Sequence, residues 1–210
     1  MIKVCIASNN KNKIKQFGEI LSELGLDANV LTAKDVGMPD FPPEDAETFY
    51  GNSLIKAKAL YEHIVRKDGS CGCYVVADDS GICVDALGGG PGVRSARFSG
   101  EHATDAENNK LLLEKLKGVE NRAAHYMCVI TLITPDGNIM CSGGRADGEV
   151  IDDARGTDGF GYDPYFYFRS LGKTFAELSS EVRNSISHRG QALRKTARLI
   201  EADLANKKKS

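Results

Sequence analysis

The sequence contains no tryptophan and only six prolines in 210 residues. It also lacks a charge excess: 29 acids face 27 bases, a formal net charge of −2. Such a balance gives no bulk attraction to nucleic acid or to an anionic membrane, so any phosphate site has to be local. No apolar run approaches the ~20 residues of a membrane-spanning helix. No segment has the charged start, apolar middle and small-residue end of a secretory leader. These absences predict a cytoplasmic protein with neither a membrane nor a nucleic-acid partner. The six cysteines form no paired pattern. Cys71 and Cys73 are too close for ordinary zinc-ligand spacing, and no second pair lies nearby. Cys5, Cys83 and Cys128 sit in apolar, strand-like runs, which predicts buried, reduced thiols.

Hydrophobic residues at 41% and charged residues at 27% are enough for a real core in one domain spanning 1–210. Glycine is in excess, with 22 residues or about 10% against a usual ~7%. Six fall between Gly81 and Gly100 and seven between Gly137 and Gly161, mixed with Asp, Arg, Phe, Tyr and Pro rather than set in a Gly/Ser run. That mixture points to special backbone angles or close approach to a ligand, not to a flexible linker.

Periodicity predicts a buried strand over 3–7 and a helix over 12–24, with Ile14, Phe17, Ile20, Leu21 and Leu24 on one face and Gly25 as its stop. A strand over 28–31 and a proline-bearing loop over 34–47 follow. A second helix is expected over 48–65, and two short strands over 74–77 and 82–84. A third helix over 104–116 opens on a capping box of Thr104 and Glu107. A long strand over 123–134, a turn at 135–138, a return strand from Ile139, a further piece at 149–151 and an aromatic strand at 165–168 come next. A last helix carries Leu193, Ala197, Ile200 and Leu204, with Lys207 to Lys209 as a solvated, frayed end. The class is α/β with a mixed sheet, and a second lobe around 123–151 is allowed.

Four clusters carry chemistry. Ser8, Asn9, Asn10, Lys11, Asn12 and Lys13 lie between the first strand and the first helix, where free N–H groups and the helix dipole suit a polyphosphate; an ordinary capping loop reads the same way. Asp78 and Asp79, followed by Ser80 and Gly81, close an apolar strand. Adjacent carboxylates there suit a hard cation or a general base, or merely cap a turn, and Glu44 and Glu47 could add carboxylates. Gly159, Phe160, Gly161, Tyr162, Asp163 and Pro164 make a constrained turn that presents a ring to a flat ligand, or packs it. Arg183, Ser187, His188 and Arg189 precede the last helix and are rich in donors.

Taken in order, and with Ser95-Ala96-Arg97-Phe98-Ser99-Gly100 and Ile186 to Leu193, these segments resemble the purine nucleoside triphosphate pyrophosphatases that act on inosine and xanthosine triphosphates. The likeness runs nearly end to end. It implies an elongated mixed α/β subunit, two lobes around a central nucleotide cleft, a homodimer, and Mg2+-dependent hydrolysis of ITP, dITP and XTP to the monophosphate and pyrophosphate. By resemblance, Ser8 to Lys13 and Lys56 hold the phosphates. Asp79 is proton acceptor and metal ligand, Glu44 helps bind metal, and Ser80 contacts the nucleotide. Phe160, Gly161, Tyr162 and Asp163 surround base and sugar, and His188 with Arg189 reads the base edge.

The chain departs from the family pattern at three places. Arg183 stands where lysine is usual, Gly51 where a glutamate often precedes the asparagine matching Asn52, and Asn10 and Asn12 where glycine is frequent. Two other readings follow: a related pyrophosphatase with a shifted base preference, and a nucleotide-binding protein without catalysis. Asp78, Asp79, Lys13 and Glu44, all retained, weigh against the second.

Overall fold

The computed structural model describes residues 1–8, 11–38 and 40–209. β1 (Ile2–Ile6) runs parallel to both β2 (Ala28–Thr32) and β3 (Tyr74–Val84). Both faces of β1 are covered, so it reads as one apolar run rather than an alternation. Val4 and Ile6 point to one side, with Tyr74 and Val76, against α1 (Lys11–Glu23). Cys5 and Ala7 point to the other, with Val75 and Ala77, against α2 (Phe49–Asp68). The spacing of Ile14, Phe17, Ile20, Leu21 and Leu24 does place them on the packed face of α1.

The later elements are α3 (Asp105–Lys115), β4 (Ala123–Ile133), β5 (Ile139–Val150), β6 (Phe166–Phe168), β7 (Lys173–Thr174), α4 (Ser180–Ile186) and α5 (His188–Lys207). The capping box that opens α3 is formed as expected: Thr104 Oγ1 accepts from the Glu107 N–H at 3.3 Å, and Glu107 accepts from the Thr104 N–H at 2.8 Å. The strands form one mixed sheet in the order β2-β1-β3-β4-β5-β6-β7, antiparallel from β5 through β7. The α/β class with a mixed sheet is what the sequence implied.

The chain divides into two compact units. The first comprises Met1–Asp79, Cys128–Gly144 and Arg189–Ser210; the second comprises Ser80–Met127 and Arg145–His188. In the first unit α1 and α5 cover one side of the strands, with Leu193, Ala197 and Ile200 among the buried residues. The second unit has its own core of Ile82, Val84, Leu112, Leu116, Tyr126, Tyr162, Phe166, Phe168 and Phe175. Strands β4 and β5, over the 123–151 stretch, contribute residues to both units.

Several local expectations change. The runs 74–77 and 82–84 are one 11-residue strand, because Asp78 to Gly81 stay extended. The return strand is likewise unbroken from Ile139 to Val150. α4 was not foreseen; its Ser179 cap accepts from the Val182 N–H at 3.3 Å. Lys207 is not a frayed end: it closes α5 and pairs with Asp136 and Asp203. All six cysteines are free thiols: Cys5, Cys83 and Cys128 are buried as expected, Cys71 and Cys73 are buried as well, and Cys141 is exposed.

Candidate active site

A strand sends successive side chains to opposite faces. The consequence for β3 is that Asp78 and Asp79 do not share a site. Asp78 points to the side of α1 and α5, where its Oδ2 lies 3.0 Å from Lys13 Nζ and accepts from Arg189 Nε at 3.2 Å. Arg189 Nη1 in turn donates to Gln16 Oε1 at 3.1 Å. Asp79 points to the side of α2, where Asn52 Nδ2 donates to its Oδ2 at 3.1 Å. The reading of the two adjacent carboxylates as a joint cation site is thereby corrected.

Their protonation equilibria diverge for the same reason. Burial pushes both carboxyls up. At Asp78 the charges of Lys13, Arg189 and Lys56 outweigh burial and hold the group well below the usual carboxylate range. At Asp79 burial wins over Lys56 and Asn52, helped by the repulsion of Glu44, and the carboxyl is raised. A raised carboxyl is a stronger base once ionised. Lys56, buried on α2, donates to Glu44 Oε2 at 2.8 Å.

The start of α2 explains the departure at Gly51. Thr48 caps the helix by accepting from the Gly51 N–H at 3.0 Å. A Cβ on Gly51 would lie 2.6 Å from Ala46 Cβ and 3.1 Å from Thr48 Oγ1. Asn52 Oδ1 accepts from the Ala46 N–H at 2.9 Å, so the chain before the helix is drawn tight against it. The carboxylate beside Asp79 is accordingly Glu44, not one at position 51.

In the second unit the turn 159–164 is braced from several elements. Gly159 has φ +89°, where a Cβ would run into the Asp163 carboxylate and lie 2.7 Å from Arg183 Nη1. Asp163 is buried: its Oδ2 accepts from the Phe160 N–H at 3.2 Å and its Oδ1 from the Tyr126 hydroxyl at 3.3 Å. Arg183 Nη1 lies 3.9 Å from Asp163 Oδ2. The Tyr162 hydroxyl donates to Ser95 O at 2.7 Å, and burial, then the Asp105 charge, raises that phenol. Ser95 Oγ also accepts from the Ile82 N–H at 2.9 Å, tying the Ser95 to Gly100 segment to β3. The His188 ring stacks on Tyr126 at 4.6 Å and 7°. Phe160 alone of the turn's aromatics is exposed, at 39%. It borders, with Gly159, Gly161, Asp105 and Asn109, a cavity of about 580 Å³.

The residues named from the sequence thus fall into two groups. Lys13, Glu44, Lys56, Asp79 and Arg189 belong to the first unit, and Ser80, Phe160, Gly161, Tyr162, Asp163, Arg183 and His188 to the second. Ser8 follows β1 in the first unit. Asn9 and Asn10 lie outside the described residues, as do the side chains of Lys11 and Asn12, which begin α1. Sequence reasoning missed the supporting partners Asn52, Gln16, Tyr126, Asp105 and Asn109. One signal was available for Asn52: Asn52, Ser53 and Lys56 share the buried side of α2 with Ala57 and Leu60, and polar groups on a buried face need partners.

Comparison with known proteins gives a consistent result. A family model described as the Ham1 family matches residues 4–199. A dITP/XTP pyrophosphatase of Chromobacterium violaceum is 47% identical over 193 residues, 91% of this chain and 93% of that relative. One of Clostridium perfringens is 43% identical over 197 residues, 93% of this chain and 95% of the relative. Among solved structures, a HAM1 protein from Coxiella burnetii superposes with a TM-score of 0.83 at 35% identity, covering 96% of this chain and 100% of that one. The Staphylococcus aureus Ham1 protein gives 0.82 at 37%, covering 96% and 99%. Sequence match, fold and the order of the motifs agree, and the chain belongs to the Ham1 family.

Proposed function

We propose that the protein hydrolyses ITP, dITP and XTP to the monophosphate and pyrophosphate, removing these purine nucleotides from the pool. One observation carries the reading: a buried carboxylate, Asp79, held above its ordinary pKa beside Lys56 and Glu44, in a chain whose relatives are named dITP/XTP pyrophosphatases. In the proposed reaction a water oxygen bonds to the α-phosphorus and the α–β anhydride bond breaks. Pyrophosphate leaves with the electron pair, and Asp79 accepts the water's proton. Asn52 fixes the carboxylate that does so.

The donor set fits magnesium. Glu44 and Asp79 offer hard carboxylate oxygens, and their mutual repulsion is one that a divalent cation relieves. Mg2+ takes one or two carboxylates and completes its shell with water and phosphate oxygens. When bound, the ion supplies charge neutralisation for the triphosphate.

Ser8 to Lys13 and Lys56 are proposed to hold the phosphates, with Ser80 on the nucleotide. Arg189, expected from the resemblance to read the base edge with His188, is bonded to Asp78 and Gln16, and is proposed instead to keep Lys13 and the aspartate in register. Phe160 stacks on the base. Arg183 and His188 offer donors to the 6-oxo edge of hypoxanthine or xanthine. Adenine has an amino donor there, and an unpaired donor in such a site discriminates by about 10⁴. The proposal includes a cytoplasmic homodimer. No described helix is long and apolar enough to cross a membrane.

A panel of nucleoside triphosphates, assayed with Mg2+ for pyrophosphate release, tests the reading. ITP, dITP and XTP are expected to exceed ATP, GTP and the pyrimidines in kcat/KM. No pyrophosphate, or no such preference, overturns it.

A further inference from the structure

Gly161, the residue after the exposed Phe160, has φ +63° and gives both of its backbone polar groups to one helix. Its N–H donates to Asp105 Oδ2 at 2.7 Å, and its carbonyl accepts from Asn109 Nδ2 at 2.9 Å. Asp105 and Asn109 are four residues apart and therefore share a face of α3. The Asn109 amide can stand only one way round, since the flipped amide would set its oxygen against the Gly161 carbonyl. In the observed orientation Oδ1 is buried with no hydrogen-bond partner. On its own side Phe160 is held through its N–H by Asp163. The peptides on both sides of the ring are thus fixed, one from within the turn and one from α3.

We propose that Asp105 and Asn109 are positioning residues that set base preference by clamping the Gly161 peptide and with it the direction in which Phe160 is presented. The inference rests on the reading of the turn as the base-binding element. The helix N-terminus supplies no ligand here; the clamp works through the backbone it holds.

The full-length protein tests it in four forms: wild type, Asp105→Ala, Asp105→Asn and Asn109→Asp. Asp105→Ala removes the acceptor, whereas Asp105→Asn removes the charge but keeps an oxygen for the Gly161 N–H. Loss of one such bond is expected to raise KM for ITP about five- to tenfold, with kcat within about twofold. The gap between ITP and ATP narrows by a similar factor. Asp105→Asn should stay within about twofold of wild type, while Asn109→Asp, which loses its donor, should follow Asp105→Ala. Inhibition by inorganic triphosphate, which needs only the phosphate end, should not change. Exchange of the Gly161 amide with solvent deuterium should quicken at least about tenfold in Asp105→Ala. Unchanged KM and exchange in Asp105→Ala overturn the clamp. So does weakened triphosphate inhibition in step with KM, which would mean general loosening. If wild type neither binds nor hydrolyses ITP, the reading of function falls instead, and the exchange arm alone decides whether the clamp exists.

Discussion

At the scale of single residues, the pleat of one strand separates two aspartates that stand side by side in the chain. Asp78 is held ionised among cations; Asp79 is the raised carboxyl, proposed to take the water's proton. Asp79→Asn is expected to lower kcat by at least about a hundredfold while nucleotide affinity stays within a few-fold. Pyrophosphate release and calorimetric titration measure the two, and wild-type turnover in the variant removes Asp79 from its role. Asn52→Ala has a signed pH effect. The Asn52 hydrogen bond lowers the Asp79 carboxyl against burial, so its loss lets that pKa rise further. In the proposed mechanism Asp79 acts in its ionised form, so the acid limb of kcat/KM is expected to move to higher pH. A pH–rate profile whose acid limb is unmoved or moves down would contradict this. Asp79 was legible as a candidate from the sequence, but its separation from Asp78 was not. A run of Ala-Asp-Asp-Ser-Gly reads as a strand that stops, and only the cations arriving from α1 and α5 let the strand continue through a charge.

At the scale of elements, helices with a clean apolar stripe were readable and short, partner-dependent pieces were not. α1 needs only its own spacing; α4, with seven residues, exists because Ser179 caps it and Arg183 reaches the turn at 159–164. The turn itself was legible as glycine and aromatics, but which ring faces out was not. Tyr162 turns inward to Ser95, 67 positions away in the chain, and Phe160 stays exposed. Two predictions belong here. Gly159→Ala forces a side chain into a left-handed angle against Asp163, and should cost about 1–3 kcal/mol of stability; an unchanged denaturant midpoint would refute it. Phe160→Ala should raise KM about tenfold, the worth of one stacked base, with a smaller change in kcat. An unaltered KM would make the ring a surface residue without a ligand.

At the scale of the whole molecule, the cysteines give a compact test of the packing. Burial pushes the Cys128 thiol up to about 12, and the hydrogen bond to Cys5, with burial behind it, raises Cys73 to about 11. The thiolate is the reactive form, so such groups are slow with thiol reagents. Native protein should react quickly at one site, Cys141, and Cys141→Ser should abolish the fast phase; several fast thiols would contradict the described core. The division into units has a consequence for what each core depends on. The second unit contains nothing after His188, whereas the first includes Arg189–Ser210. A cut before Arg189 would therefore leave every residue of the core around Phe166 and Phe175 in place, but would strip Leu193, Ala197 and Ile200 from Val4, Phe17 and Ile20. Damage at one end of the sequence would thus bare apolar surface at the other, where proteases and chaperones act.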